Sequence, residues 1–547
     1  MKRIYFTILL SAIVLMSACK KELVEDSRSE VTDNYISTPD GIQAAVNAAY
    51  SLQRNYWGTE LGANLSVTGT DEYTAGSDAD RDFNAYNNNL NPVKGNFMTA
   101  WANFYQGINA CNAVINRAPD VTMDATLKTT RVAEARFLRA QYYFMLVQMW
   151  GPVHITLTET KGAVTTAKRS PVAEVYKVIT DDLDFAIANL PVTSTNYGRA
   201  IKPAAQHLAA KVYLTRAGIN NDQADYTKAA DLAKAVINGN TNKLLDNFAD
   251  IFVQGAGERN TETIYSVQYS NNLLTNGDGN TLHLYFVFNY DLLPGMQRDL
   301  AGGRPYKRYK PTAFALNTLY NHQTDGRFDA TFKRVYYSNK AGTYTINGHQ
   351  VNMKLGDTAI FFPDVELTAA QIATKNYSVF PPSKVTEATF PTLTKFLDPT
   401  RTDANATSGA RDFILYRLGE TYLIAAEALL MSGKPDEALT YINTLRRRAA
   451  KKGATDAATA ANRTAMEVTA AQLNLDFILD ERARELNGEH QRWFDLARTK
   501  TLVARVKLYN SLGAPNIKDY HLLRPIPQTQ IDRTDGGVTA FPQNPGY

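Results

Sequence analysis

The residues of this chain that could do chemistry fall into three charged clusters: Glu134, Arg136 and Arg139; Glu481, Arg482, Arg484 and Glu485; and Arg492, Trp493 and Asp495. Paired carboxylates can run hydrolysis when one is protonated and the other ionised. On a helix, residues three or four apart share a face, so Glu481 sits beside Arg484, which holds a carboxylate ionised and unfit to donate a proton. The clusters are therefore read as ion pairs that tie helices together, and no catalytic residue is assigned. The seven histidines (His154, His207, His283, His322, His349, His490 and His521) include no pair at the spacing of a zinc-binding helix. Asn276-Gly277-Asp278-Gly279-Asn280 opens like a calcium loop, yet Thr281 replaces the turn glycine and Val287 the terminal glutamate, which leaves a glycine-rich turn. There is no phosphate-binding loop and no Gly-x-Ser-x-Gly elbow. Neither a metal nor a cofactor is expected.

The chain has two cysteines, Cys19 and Cys111. Lys2 and Arg3, a largely apolar run from Ile4 to Leu15, and Met16-Ser17-Ala18-Cys19 have the layout of a secretory signal. A cysteine after Ser-Ala at the end of the apolar run resembles a lipobox, with Cys19 acylated as the first mature residue. Cys111, on an apolar helix face, is expected to be buried and inert. The run is too short to cross a bilayer, which takes about 20 apolar residues, so lipid supplies the membrane link. This divides the chain into a signal peptide (1–18), a charged tether (19–37, with Lys20, Lys21 and Glu22) and a single domain (38–547). The 547 residues are 44% hydrophobic, enough for a large core. The formal charge of +4 becomes 4 − 2 = +2 without Lys2 and Arg3, a balance that gives no sign of nucleic-acid binding.

The elements that must position everything else carry helical period. After Thr38-Pro39, the residues Ile42, Ala45, Val46, Ala49 and Tyr50 line one face. A second stripe holds Trp101, Tyr105, Ile108, Val114 and Ile115. A third runs from Ala135 through Leu138, Tyr142 and Met145 to Met149, stopped by Gly151-Pro152. A helix pair follows, with Ala205, Leu208, Ala209 and Val212 on one stripe and Ala229, Ala233 and Val236 on the next, turning at Gly218 and Asn220-Asn221. A similar pair places Leu415, Leu418, Tyr422, Ala425, Ala426 and Leu429 before Gly433, and Ala438, Ile442 and Leu445 after Pro435. One pair cannot bury its own stripe, so the pattern predicts a mainly α fold of stacked, tetratricopeptide-like pairs at about 101–150, 204–238, 412–450 and 473–498. Residues of about 240–411 read as an irregular insertion with small β pieces such as 262–268 and 343–351, the kind of segment that carries binding sites on a rigid scaffold. The proline-rich tail after Arg524 is expected to run extended across the body.

The order of motifs is more specific than any one of them. Trp101, Tyr105, Ile108, Cys111 and Asn112 precede Glu134-Ala135-Arg136-Phe137-Leu138-Arg139-Ala140 and Trp150-Gly151-Pro152. Tyr416-Arg417-Leu418, Glu420-Thr421-Tyr422-Leu423 and Ala426-Glu427-Ala428 come later, followed by Glu481-Arg482-Ala483-Arg484-Glu485 and Arg492-Trp493-Phe494-Asp495-Leu496. Pro525-Ile526-Pro527 and Gln543-Asn544-Pro545-Gly546-Tyr547 close the chain. From lipobox to last residue this resembles the SusD/RagB family. The resemblance implies a lipid-anchored outer-membrane protein facing the cell exterior. It would be non-catalytic, binding oligosaccharide and delivering it to a SusC-like TonB-dependent transporter. Capture of peptides or other nutrients by the same architecture is the alternative reading, and a helical glycosidase a remote third.

Sugar recognition needs flat aromatic faces for the ring and amides or carboxylates for the hydroxyls. Two segments offer both: 57–91, with Trp57, Asp71, Arg81, Asn84, Tyr86 and Asn88, and 285–309, with Tyr285, Phe288, Tyr290 and Tyr306. These ten are the candidate ligand residues. If 285–290 is a strand, only alternate side chains can face a ligand, and the rest are core.

Overall fold

The computed structural model describes residues 33–547; Cys19 and the expected signal peptide lie outside the described residues. The first long helix, α1 (Pro39–Ser51), starts where its cap dictates. The Thr38 hydroxyl accepts the Gly41 N–H at 3.1 Å, Pro39 takes the first helical position, and Ile42, Val46 and Ala49 are buried on one face. Then come α2 (Gly95–Arg117), α3 (Ala125–Trp150), α4 (Val172–Asn189), α5 (Lys202–Asn220) and α6 (Gln223–Asn238). After the insertion follow α7 (Leu418–Met431), α8 (Pro435–Ala449), α9 (Leu475–Leu486) and α10 (Arg492–Arg498).

The helices stack in sequence order: α2 on α3, α3 on α4, α4 on α5, α5 on α6, then α6 directly on α7 and α7 on α8 and α9. The insertion interrupts the sequence and not the stack. Buried alanines make the close approach possible, among them Ala205, Ala209, Ala229, Ala233 and Ala426. Both ends of the insertion are tied at one place, where strand Thr263–Val267 pairs antiparallel with Phe413–Arg417. The insertion also has its own apolar cluster, which includes Phe288, Tyr290, Tyr336, Met353, Ile360 and Phe390.

Several sequence expectations need correction. Leu415 lies in the strand Phe413–Arg417, so α7 begins three residues later than its stripe suggested. Gly218 is inside α5, and Asn221, at φ 51°, makes the turn instead. Helix α4 was not anticipated, although Val175, Ile179, Leu183 and Ala186 are spaced for it and are buried. Tyr285 ends a short helix, Leu282–Tyr285, so strand alternation does not apply, and Tyr285 and Phe286 are both buried. The tail contains two short helical pieces, Gln528–Asp532 and Gly537–Ala540. It packs on the body as expected: Pro525 accepts the Trp150 indole N–H at 2.8 Å, and Arg524 lies over the Trp493 ring at 4.2 Å.

Candidate functional site

The two segments singled out as ligand-binding meet. Strand Tyr73–Ala75 pairs antiparallel with Tyr309–Pro311, with Thr74 opposite Lys310. This two-stranded ribbon brings the loop 76–81 against the loop 304–308. Gly76 N–H donates to Arg308 O at 2.9 Å, Asp78 N–H to Lys307 O at 3.3 Å, and Ser77 N–H to Glu387 O at 2.9 Å. Side chains also cross the junction. Arg81 forks onto Glu387 at 2.9 and 2.7 Å, and Lys307 pairs with Asp78 at 2.9 Å. Arg304 lies over the Tyr306 ring at 5.3 Å. Lys307 holds φ 46°, an uncommon backbone for lysine that the surrounding hydrogen bonds enforce.

Of the ten candidate residues, Arg81 and Asn88 are exposed and Tyr306 is half-buried. The other seven are inside. Trp57 is 2% exposed and packs its ring on Tyr56 and Phe104, at 5.2 and 6.4 Å. Asp71 is held by Arg492 at 2.7 and 2.6 Å and by Arg505 at 2.5 Å. Burial alone would raise its pKa, and the two guanidiniums overcome that and hold it below the usual carboxylate range. Asn84 accepts from Asn510 at 2.8 Å, and the Tyr86 hydroxyl donates to Gly69 O at 2.7 Å. Tyr285 packs near Tyr306 and Tyr309, Phe288 packs against Tyr336 and Phe362, and the Tyr290 hydroxyl donates to Gly303 O at 2.9 Å. These seven are packed in the interior and present almost no surface to a ligand. Asp78, Lys307 and Glu387 were missed. Glu387 reaches the junction from a remote loop, and nothing local in the sequence announces that.

The charged clusters are ion pairs, as their spacing implied. Arg139 bridges α3 to Asp182 of α4 at 2.7 Å, and Glu134 accepts from Arg131 and Arg199. Glu481 meets Arg446, Arg327 and Arg484 at 2.6, 2.8 and 3.0 Å. Glu485 meets Arg448, Arg417 and Arg327 at 2.5, 2.8 and 3.0 Å. Arg327, from the insertion, is fully buried and was not anticipated as a partner. It fastens the insertion to α9. Burial would raise the Glu485 carboxyl, and its three arginines instead bring it down to about 2. Such a group cannot deliver a proton near neutral pH. Cys111 is fully buried, and burial pushes its thiol far above the ordinary range. The 276–280 segment is a turn in which Gly277 and Gly279 take φ 58° and 74°.

A separate open cleft of about 980 Å³ lies between α1, the loop 195–199 and the end of the Thr263–Val267 strand. Arg54, Tyr197, Arg199, Arg259 and Gln268 are on its wall. A second cleft of about 760 Å³ shares Arg54, Arg259 and Gln268 and adds Glu258 and Asp412. Burial pushes Asp412 up to about 6. Burial and the Asp412 charge push Glu258 up to about 7.

Known proteins share this fold. A SusD-like protein of Bacteroides ovatus is 33% identical over 183 residues, 32% of this chain and 33% of that protein. SusD-like protein P2 of Formosa agariphila is 24% identical over 542 residues, 94% of each chain. A solved structure titled "Laminarin binding SusD-like protein" superposes with TM-score 0.68 at 23% identity, covering 93% of this chain and 100% of that one. Residues 22–214 match the family described as starch-binding associating with outer membrane. Residues 236–547, more than half the chain, match the model described as the SusD family, and this protein therefore belongs to the SusD/RagB family.

Proposed function

We propose that the chain is a surface lipoprotein that captures oligosaccharide without cleaving it and passes it to a SusC-like TonB-dependent transporter in the outer membrane. The observation that carries this reading is the ribbon junction. It brings the loop that carries Asp78 and Arg81 against the loop that carries Tyr306 and Lys307, with the Asp78–Lys307 pair across the join and Glu387 paired to Arg81. An aromatic face can stack on a sugar ring, and paired charges can take neighbouring hydroxyls as donor and acceptor together. An exposed surface also accepts an internal stretch of a long polymer, which a closed pocket would not. The descriptions of the relatives as starch-binding and laminarin-binding support a glycan as the ligand. A glycosidase would need a carboxyl pair at hydrolytic spacing with one partner protonated. Glu481 and Glu485 are buried and held ionised and cannot be that pair; Glu258 and Asp412, both pushed up beside the second cleft, are the carboxyls on which any cleavage would rest. Cys19, outside the described residues, would carry the lipid that keeps the protein on the outer membrane.

Affinity electrophoresis in gels containing laminarin or starch tests the reading. The wild-type chain should be retarded, and Arg81→Ala combined with Tyr306→Ala should run freely. Unchanged retardation of the double variant overturns the site. Release of shorter sugars by the pure protein overturns the non-catalytic role. Labelled palmitate should enter the wild type and not Cys19→Ala; equal labelling removes the anchor.

A further inference from the structure

The cleft beside α1 has a chemistry of its own. Four guanidiniums line it, from Arg54, Arg131, Arg199 and Arg259, and no carboxylate does. Behind the wall, Arg131 and Arg199 share one oxygen of Glu134, at 3.1 and 2.9 Å. A single carboxylate thus serves two cations. Arg54 donates to the Gln268 carbonyl at 3.3 Å, and Arg259 lies on the Tyr197 ring at 5.0 Å. Among the described residues neither of these two is within ion-pair distance of a carboxylate. Against these four guanidiniums stand Glu134 and, in the adjoining cleft that shares Arg54 and Arg259, Glu258 and Asp412, so positive charge remains in excess and concentrates anions.

A second observation points to a ligand. The Gln53 side chain is 1% exposed, and its Oε1 accepts the Tyr265 hydroxyl at 2.6 Å. Its Nε2 finds no partner, and Gln53 lines the cleft. An unpaired buried N–H is costly, so an acceptor is called for at that point. The remaining wall suits sugar. Tyr50 lies under Arg199 at 5.5 Å, giving a second flat ring beside a cation, and Gln43 and Asn47 supply amides. Leu274 is the one aliphatic side chain of the lining, which leaves little for the apolar residues of a peptide.

We propose that this cleft is a second binding site, for an oligosaccharide carrying carboxylate or sulfate groups. Arg54 and Arg259 grip the anion through their planar N–H forks, Tyr197 and Tyr50 offer ring faces, and Gln53 Nε2 donates to a ligand oxygen. The cleft shares no residue with the ribbon junction, so the two sites can fail independently.

Calorimetric titration of the mature chain decides it, using probes of matched length. These are an oligogalacturonate, a sulfated galacto-oligosaccharide, a neutral laminari-oligosaccharide and an aspartate-rich peptide. At least one acidic saccharide should bind about tenfold more tightly than the neutral one and weaken as salt is added. Arg54→Gln with Arg259→Gln should remove about tenfold of that affinity and leave neutral-sugar binding unchanged. Preference for the galacturonate or for the sulfated probe identifies the anion. Arg259 is exposed, so Arg259→Gln alone keeps the test available should the double variant not fold. The proposal is overturned if both acidic saccharides bind no better than the neutral one, if the peptide outcompetes them, or if the folded variants keep full affinity.

Discussion

Replacing Glu485 by glutamine preserves its shape and removes its charge at the point where the insertion is fastened to α9. The carboxylate is 0% exposed and faces Arg448, Arg417 and Arg327. Its pKa falls from an ordinary 4.5 to about 2, because the three guanidiniums outweigh the cost of burial. That drop of 4.5 − 2 = 2.5 units, at about 1.4 kcal/mol each, makes the ionised group worth about 3 kcal/mol to the folded state. The loss of one partner from a buried ion pair costs roughly 3–5 kcal/mol, which agrees. Because the folded pKa is depressed, this contribution is complete above the unfolded value and fades as pH falls from there through about 2. Glu485→Gln should therefore lower unfolding free energy by about 3 kcal/mol at neutral pH, and the gap to the wild type should close in acid. All four tryptophans, Trp57, Trp101, Trp150 and Trp493, are buried, so intrinsic fluorescence during urea unfolding reads the transition. A neutral-pH difference under about 1 kcal/mol, or a gap that persists in strong acid, would refute the reasoning. So would a variant of wild-type stability that no longer binds glycan, because Glu485 would then belong to a ligand site.

Three further outcomes follow from the same geometry. Trp57→Ala should cost about 3–5 kcal/mol of stability, as a large buried ring is removed, while the folded fraction keeps its retardation in a glycan gel; lost retardation at unchanged stability would make Trp57 a ligand residue. Cys111 should resist a thiol reagent in the folded protein and react once urea unfolds it, as mass spectrometry would show. Burial and Asp412 push Glu258 up to about 7, so the folded state keeps a proton that the unfolded chain loses near 4.5. Glu258→Gln should then raise the thermal midpoint in mildly alkaline buffer and leave it unchanged in acid, and a lower midpoint in alkali would contradict this.

What could be read from the sequence was local. Thr38-Pro39 starts α1 because a cap and a proline act within one turn, and Gly151 ends α3 because a positive φ is cheap for glycine. Apolar spacing exposed most of the stacked helices, and Val175, Ile179 and Leu183 carried the same signal for the unanticipated α4. The arginine–carboxylate clusters were legible as ion pairs because i, i+3 geometry already puts Glu481 beside Arg484. Which aromatic residues meet solvent was not local. The face of Trp57 or Tyr290 that would stack on a sugar packs equally well on Phe104 or Tyr336, and only the approach of distant segments chooses between these uses. The pairing of Tyr73–Ala75 with Tyr309–Pro311 likewise depends on the folded stack that carries both. Three residues per strand hold too little periodicity to specify a partner so far along the chain, and so tertiary packing, through burial and long-range register, decided which side chains are left at the surface.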